Sequence, residues 1–194
     1  MRAVEALALL KRGNNRFMSG LVRQDGQTRA DILRLFEWQS PEAIVLSCSD
    51  SRVPPEIVFD QKLGELFSVR SAGTALSPSL IASIEYAVET LESRLIVVLG
   101  HTNCGAVQCA VNTLCGKSAG SKNLNLLVAD IHPRIRGKLK QPSKDLEIEV
   151  WLNARGVAKD LISRSDLIAR AVSIGQIEIV AGLYSLTTGA VVFD

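Results

Sequence analysis

Two short segments hold most of the chemically reactive side chains. Cys48-Ser49-Asp50-Ser51-Arg52 places a thiol, a carboxylate and a guanidinium close together, and His101-Thr102-Asn103-Cys104 adds an imidazole and a second thiol. Two thiolates and one imidazole form a soft-to-borderline donor set that suits Zn²⁺. Three protein ligands leave the fourth tetrahedral position open, which is the catalytic rather than the structural arrangement. The competing reading is plain burial: a Cys at a strand end commonly just packs, and H-x-x-C alone is a weak pattern. Asp50 and Arg52 shift the balance. Charges beside a thiol at a pocket mouth are costly to desolvate, and orienting a metal-bound species is one reason to keep them there.

These segments need elements that bring them together. Ala43–Ser47 (AIVLS) runs directly into Cys48, and Leu95–Leu99 (LIVVL) runs into Gly100 and His101. Both are near-continuous apolar runs rich in β-branched residues, as in strands buried on both faces of a parallel sheet. Leu66–Arg70 and Ile177–Leu186 read as further strands, and Gly189–Phe193 as a fifth, reached through a Thr187-Thr188-Gly189 hairpin turn. Helical patterns cover residues 3–18, Ser79–Leu91 (with Pro78 suited to the first turn), Cys104–Leu114, Lys122–Leu139 and Asp145–Ile162. Gln141-Pro142-Ser143 separates the last two, and residues 116–123 read as a surface loop. This alternation predicts an α/β fold: a mainly parallel central β-sheet, about four parallel strands plus an antiparallel C-terminal edge strand, flanked by helices. Ligands bind outside the C-terminal ends of such strands. If the strands before Cys48 and His101 are neighbours, Cys48, His101 and Cys104 converge there.

At 194 residues the chain is read as one domain, with residues 1–38 an N-terminal helical arm and 39–194 the α/β core. A net charge of +2 gives no electrostatic argument for nucleic acid or an anionic membrane as partner. The basic stretch Arg134, Arg136, Lys138, Lys140 and Lys144 lacks interleaved aromatics and reads as a solvated face. No apolar run approaches the roughly 18 residues that span a bilayer. Glu5 within Ala3–Leu10, followed by Lys11, Arg12 and Arg16, makes the N-terminus an amphipathic helix rather than a signal peptide. A cytoplasmic protein is expected, a leader trimmed ahead of Met1 being the alternative. Four cysteines are too sparse for a disulfide scaffold. Cys109 and Cys115 read as core packing, the latter returning near the helix face of Cys104, and His132 as a surface residue.

Extended to Cys48-Ser49-Asp50-Ser51-Arg52-Val53-Pro54 and His101-Thr102-Asn103-Cys104-Gly105-Ala106-Val107, the two segments closely resemble the signature segments of the β-class carbonic anhydrases. Phe59-Asp60, Gly64-Glu65-Leu66-Phe67, Arg70-Ser71-Ala72-Gly73 and Ser83-Ile84-Glu85-Tyr86-Ala87-Val88 are similar to family segments in the family's order. The resemblance implies that Cys48, His101 and Cys104 bind one Zn²⁺ per subunit. It implies a catalytic dyad in which Asp50 accepts a hydrogen bond from zinc-bound water and Arg52 draws Asp50 off the metal. Gln39 matches a donor to the substrate oxygen. Phe67, Tyr86 and Ala72 match the pocket wall, Ala72 where valine is common. Val45 stands where some members carry the tryptophan of an inhibitory bicarbonate site, so that switch is not expected. Arg70 and Tyr184 resemble other residues of it, and Ser71 replaces a common asparagine. The implied reaction is reversible hydration of CO₂ to bicarbonate and a proton through zinc-bound hydroxide. The alternatives are a carbonyl sulfide or carbon disulfide hydrolase on the same fold, and a non-catalytic zinc-binding module with a closed four-ligand site. The implied assembly is a homodimer or homotetramer whose pocket forms at the dimer interface. The first helix, with no obvious place on its own sheet, would pack on a second subunit.

Overall fold

The longest apolar runs form strands buried at every position, β1 (Ala43–Ser47) and β3 (Leu95–His101). In the computed structural model, which describes residues 1–137 and 142–194, they lie side by side at the centre of a five-stranded sheet. With β2 (Leu66–Arg70), β4 (Glu178–Tyr184) and β5 (Val191–Phe193), the order is β2-β1-β3-β4-β5. The first four are parallel and β5 runs antiparallel to β4, the expected architecture. From β1 the chain moves outward to β2, then crosses back to β3 on the other side of β1. The reversal puts a topological switch point between the C-terminal ends of β1 and β3.

Residues alternate along these strands between two cores, as a pleat requires. Ala43, Val45, Leu95, Val97 and Leu99 face α1 (Ala3–Met18) and α3 (Pro55–Val58). Ile44, Leu46, Ile96 and Val98 face α4 (Pro78–Glu89), α7 (Glu147–Arg164) and α8 (Asp166–Ser173). A third cluster, under Cys48 and Cys104, joins α5 (Gly105–Leu114), α6 (Lys122–Ile135) and α7. The short α2 (Arg29–Arg34) is closed by a capping box of Thr28 and Asp31.

The first helix does have a place on its own sheet, contrary to expectation. Ala3, Ala6 and Leu10 are buried against β1 and β3, and a Cβ on Gly13 would lie 1.7 Å from the Phe59 carbonyl oxygen. Asn14 Nδ2 donates to the carbonyls of Val58 and Gly189, while its Oδ1 accepts from Val191 N–H. One side chain thereby ties α1 to α3 and β5. At the other end of the chain, α7 starts at Glu147 rather than Asp145. Asp145 and Leu146 adopt φ of 54° and 57°, outside the right-handed helix, and the Asp145 carbonyl accepts from Asn103 N–H. The expected C-terminal end of α6 at Leu139, and Gln141, lie outside the described residues. Among the described residues no helix is long and apolar enough to cross a membrane.

Candidate metal centre

β1 delivers Cys48 one residue past its end, and β3 runs two residues beyond its register with β1 to present His101. Asn103, at φ 55°, then turns the chain so that Cys104 caps the N-terminus of α5. The Cys48 and Cys104 sulfurs are 3.9 Å apart, and one ligand atom from each of Cys48, His101 and Cys104 lies within 4.8 Å of the others. All three residues are buried, His101 completely.

The imidazole has one usable tautomer. Nδ1 faces the Thr102 carbonyl oxygen at 2.9 Å, an acceptor only, so Nδ1 carries the proton and Nε2 presents a lone pair. Nε2 is buried and has no hydrogen-bond partner. An orphaned buried acceptor beside two thiols is unfavourable unless something fills the gap. A tetrahedral zinc ion with bonds of about 2.3 Å to each sulfur would set them about 3.8 Å apart, so the donor set fits the ion. The two sulfurs also lie within hydrogen-bonding distance of each other. Hydrogen bonding from the Cys104 thiol draws Cys48 far below the usual thiol range, helped by the Gly73 and Asp50 N–H groups, and Cys104 is pushed up correspondingly.

Asp50 and Arg52 meet at the rim. Arg52 Nε donates to Oδ1 at 2.9 Å and Nη2 to Oδ2 at 2.7 Å, while the Arg52 N–H adds a third bond to Oδ1. The side-chain hydrogen bonds from Arg52 hold the Asp50 carboxyl well below the ordinary carboxylate range. Asp50 Oδ2 stands 3.9 Å from His101 Nε2, beside the Cys48, His101 and Cys104 cluster. Arg70 staples the loop that carries both, with donations to the carbonyls of Cys48, Asp50 and Val53.

The expected wall residues separate into two places. Ala72 adjoins the cluster, because the next residue's N–H donates to Cys48 Sγ at 3.3 Å. Gln39, Phe67 and Tyr86 do not join it within the chain. Phe67 pairs with Ile44, four residues or about 13 Å back along the sheet from Cys48. Its ring packs 6.3 Å from that of Tyr86, and Tyr86 and Gln39 share a groove of 540 Å³ beside the outer edge of β2.

Other expectations are corrected. Cys115 is exposed at the C-cap of α5 because Cys104 and Cys115 bracket the helix rather than share a face, whereas Cys109 packs partly into the third cluster. His132 is half-buried, with Nε2 2.7 Å from the Thr113 hydroxyl and 3.1 Å from the Ala110 carbonyl, tying α6 to α5. Arg134 is no solvated cation: its side chain is 3% exposed and bonds Asp130, Asp160 and Asn153. Lys138 and Lys140 lie outside the described residues. Sequence reasoning gave no role to Asn153, a mid-helix residue whose polar partners are backbone and side-chain groups of a remote turn.

Comparison with known proteins agrees with this geometry. The family model described as carbonic anhydrase matches residues 43–191. The carbonic anhydrase of Mycolicibacterium smegmatis is 39% identical over 189 residues, 97% of this chain and 91% of that protein. Carbonic anhydrase 2 of Mycobacterium tuberculosis is 35% identical over 190 residues, with the same coverage. Among solved structures, the β-carbonic anhydrase CcaA superposes with a TM-score of 0.72 at 25% identity, covering 98% of this chain and 92% of its own. A tetrameric β-carbonic anhydrase from Sordaria macrospora shares the fold, with a TM-score of 0.73 at 21% identity over 97% and 96% of the two chains. The chain belongs to the β-carbonic anhydrase family, lyases of the carbonate dehydratase type that hydrate carbon dioxide.

Proposed function

We propose that this β-carbonic anhydrase works with a single zinc ion held by Cys48 Sγ, His101 Nε2 and Cys104 Sγ. The observation that carries the reading is the buried, unpartnered lone pair of His101 Nε2 facing two sulfurs 3.9 Å apart. When bound there, zinc supplies a water acidic enough to ionise near neutral pH.

The chain's own groups do the rest. Asp50, ionised and pinned by both arms of Arg52, accepts the remaining hydrogen of the nucleophile at a carboxylate oxygen, which aims a lone pair at CO₂. Arg52 keeps that carboxylate turned toward itself, leaving three protein ligands and one open side. This supports catalysis over a closed four-ligand site. Ala72 shapes the apolar floor beside Cys48. Gln39 donates to the CO₂ oxygen where negative charge develops, with Phe67 and Tyr86 as the facing wall.

Those last three residues reach the cluster only across an interface. The outer edge of β2 ends the sheet, and the groove beside it is lined by exposed Ile32, Phe36, Trp38 and Tyr86, Phe36 at 83% exposure. An unpaired strand edge with that apolar border favours a second copy of the chain, so the pocket is shared between two subunits of a homodimer or homotetramer. All four cysteines are unpaired, which accords with a reducing cytoplasm.

The test is metal content together with parallel rates on CO₂, carbonyl sulfide and carbon disulfide for the purified protein. One zinc per subunit and CO₂ hydration as the dominant activity are expected. A zinc-loaded protein inert toward CO₂, or one hydrolysing the sulfur analogues instead, would overturn the assignment.

A further inference from the structure

We infer that Asn153, on α7, is a positioning residue for the Cys48 sulfur, acting through the turn Ala72-Gly73-Thr74. This rests on the zinc reading above and adds a residue to it. Cys48 Sγ accepts two backbone hydrogen bonds, from Asp50 N–H at 3.4 Å and from Gly73 N–H at 3.3 Å. The first comes from its own loop. The second comes from a turn closed by bonds from Thr74 N–H to the Ser71 carbonyl, from Ala75 N–H to the Ala72 carbonyl and from the Ser71 hydroxyl to the Ala75 carbonyl, none of which touches the Gly73 carbonyl.

Gly73 and Thr74 are consecutive left-handed residues, with φ of 62° and 55°. For a β-branched residue such as threonine that conformation is strained and persists only when its surroundings impose it. Packing imposes part of it: a Cβ on Gly73 would lie 2.9 Å from both Ala106 Cβ and Ile131 Cδ1. Asn153 adds the restraint on the Gly73 carbonyl. It is 2% exposed, and its Nδ2 donates to the Gly73 carbonyl at 2.8 Å and to the Thr74 hydroxyl at 3.2 Å. The Thr74 hydroxyl in turn donates to the same Gly73 carbonyl at 2.6 Å. The amide has one orientation, because Arg134 Nη1 can only donate to Oδ1, at 3.2 Å, and the Gly73 carbonyl can only accept. Arg134 is itself fixed by Asp130 and Asp160, so the amide is anchored on an ion cluster behind it.

Two faces of one residue are thus held by different groups. Asn153 grips the Gly73 carbonyl, and the Gly73 N–H on the opposite side grips the thiolate. Such a bond drains electron density from sulfur. With two thiolates already lowering the metal's acidity, that drain keeps bound water ionisable near neutral pH. Loosening the turn leaves the three ligands in place and removes one of the two donors to Cys48.

The experiment uses the full-length protein loaded with zinc or, as a spectroscopic probe, cobalt(II). Asn153→Ala and Thr74→Val are compared with wild type and with Thr74→Ser, which keeps the hydroxyl. Expected are a shifted thiolate-to-cobalt charge-transfer band, zinc affinity weaker by about 10- to 100-fold and a kcat–pH profile displaced to higher pH in the first two. Thr74→Ser should behave as wild type. Should Asn153→Ala fail to fold, Thr74→Val carries the same readouts. Lower thermal stability with an unchanged cobalt band, zinc affinity and pH profile would make Asn153 purely structural and overturn the inference. A wild-type protein that binds neither metal would instead overturn the zinc reading, and the inference with it.

Discussion

Asp50 and Arg52, two residues apart on one loop, face each other through side-chain hydrogen bonds of 2.9 and 2.7 Å in a fork-to-carboxylate pair. The pair sits partly in solvent, Arg52 more than half exposed, so its worth to stability is small. Its consequence is geometric: both oxygens of Asp50 are engaged by Arg52 at the rim, beside the three residues that could hold a metal ion.

The first prediction follows from that fork. Arg52→Lys keeps the charge but offers one point donor in place of two fixed ones. Arg52→Ala removes both. Each should retain zinc while kcat falls, by about 10- to 100-fold in the alanine variant. Because Arg52 holds the Asp50 carboxyl low, its removal lets that pKa climb back toward the ordinary value near 3.9. The deficit in the alanine variant should therefore stay level down to about pH 5 and widen only as pH falls on toward about 4. Stopped-flow CO₂ hydration across pH reads this, and a constant ratio to wild type would refute it.

The second concerns ligand identity. Cys48→Ser or Cys104→Ser removes a sulfur from a buried three-donor set, and zinc content by elemental analysis should drop to near zero. Cys115→Ser changes an exposed cap and should leave zinc and activity alone. Loss of zinc in the Cys115 variant, or its retention in either of the others, would mean a different ligand set.

Much of this was legible in the sequence, for physical reasons that also set the limit. The bounds of β1 and β2 emerge from apolar runs, and the Cys48 and His101 segments sit where two dry strands must end. Short helices such as α3 and α8 were not read, because four to eight residues carry little periodicity; a Ser165 hydroxyl accepting from Ile168 N–H was the available signal for α8. The position of α1 depends on Gly13 and Asn14 meeting atoms of Phe59, Val58 and Gly189, contacts between segments far apart in sequence. That Gln39, Phe67 and Tyr86 are the residues set apart from Cys48 was equally hidden, although the resemblance implied a pocket at a dimer interface. A motif names residues that share a pocket and says nothing of which copy supplies them.

The third prediction tests the docking of α1. A methyl group on Gly13 would collide with the Phe59 backbone oxygen, which cannot swing aside as a flexible side chain would. Gly13→Ala should destabilise the protein by about 3 kcal/mol despite the better helix propensity of alanine, the upper end for overpacking a core. Denaturant unfolding gives the number. A stabilised variant would mean that α1 is not seated as described.

The fourth is a pH-dependent gain. Burial, with the like charge of Glu65 nearby, raises the Glu42 pKa, and Glu42 Oε2 has no hydrogen-bond partner. A carboxyl whose folded pKa is raised contributes full stability below the unfolded value near 4.3, and that contribution is lost as pH rises through the folded pKa. Glu42→Gln removes the charge altogether. It should raise the melting temperature at pH 7 and make no difference below about pH 4. The reverse trend, a gain only in acid, would contradict the sign.

The fifth tests where the pocket is built. Asp50→Asn disables the groups beside the Cys48 cluster, and Gln39→Ala disables those beside the β2 edge, which the chain itself keeps apart. Suppose each pocket takes Asp50 from one subunit and Gln39 from the other. A mixed dimer then gathers both defects into one pocket and leaves the second intact. With random reassortment half the dimers are mixed, so about a quarter of all pockets regain wild-type composition. Co-refolding equal amounts of two nearly inactive variants should accordingly restore about a quarter of wild-type CO₂ hydration. A pocket built within one chain predicts no recovery, since every subunit then carries its own defect whatever its partner. The outcome separates the two architectures without a structure of the assembly, because only a shared pocket lets two defective chains complete one another.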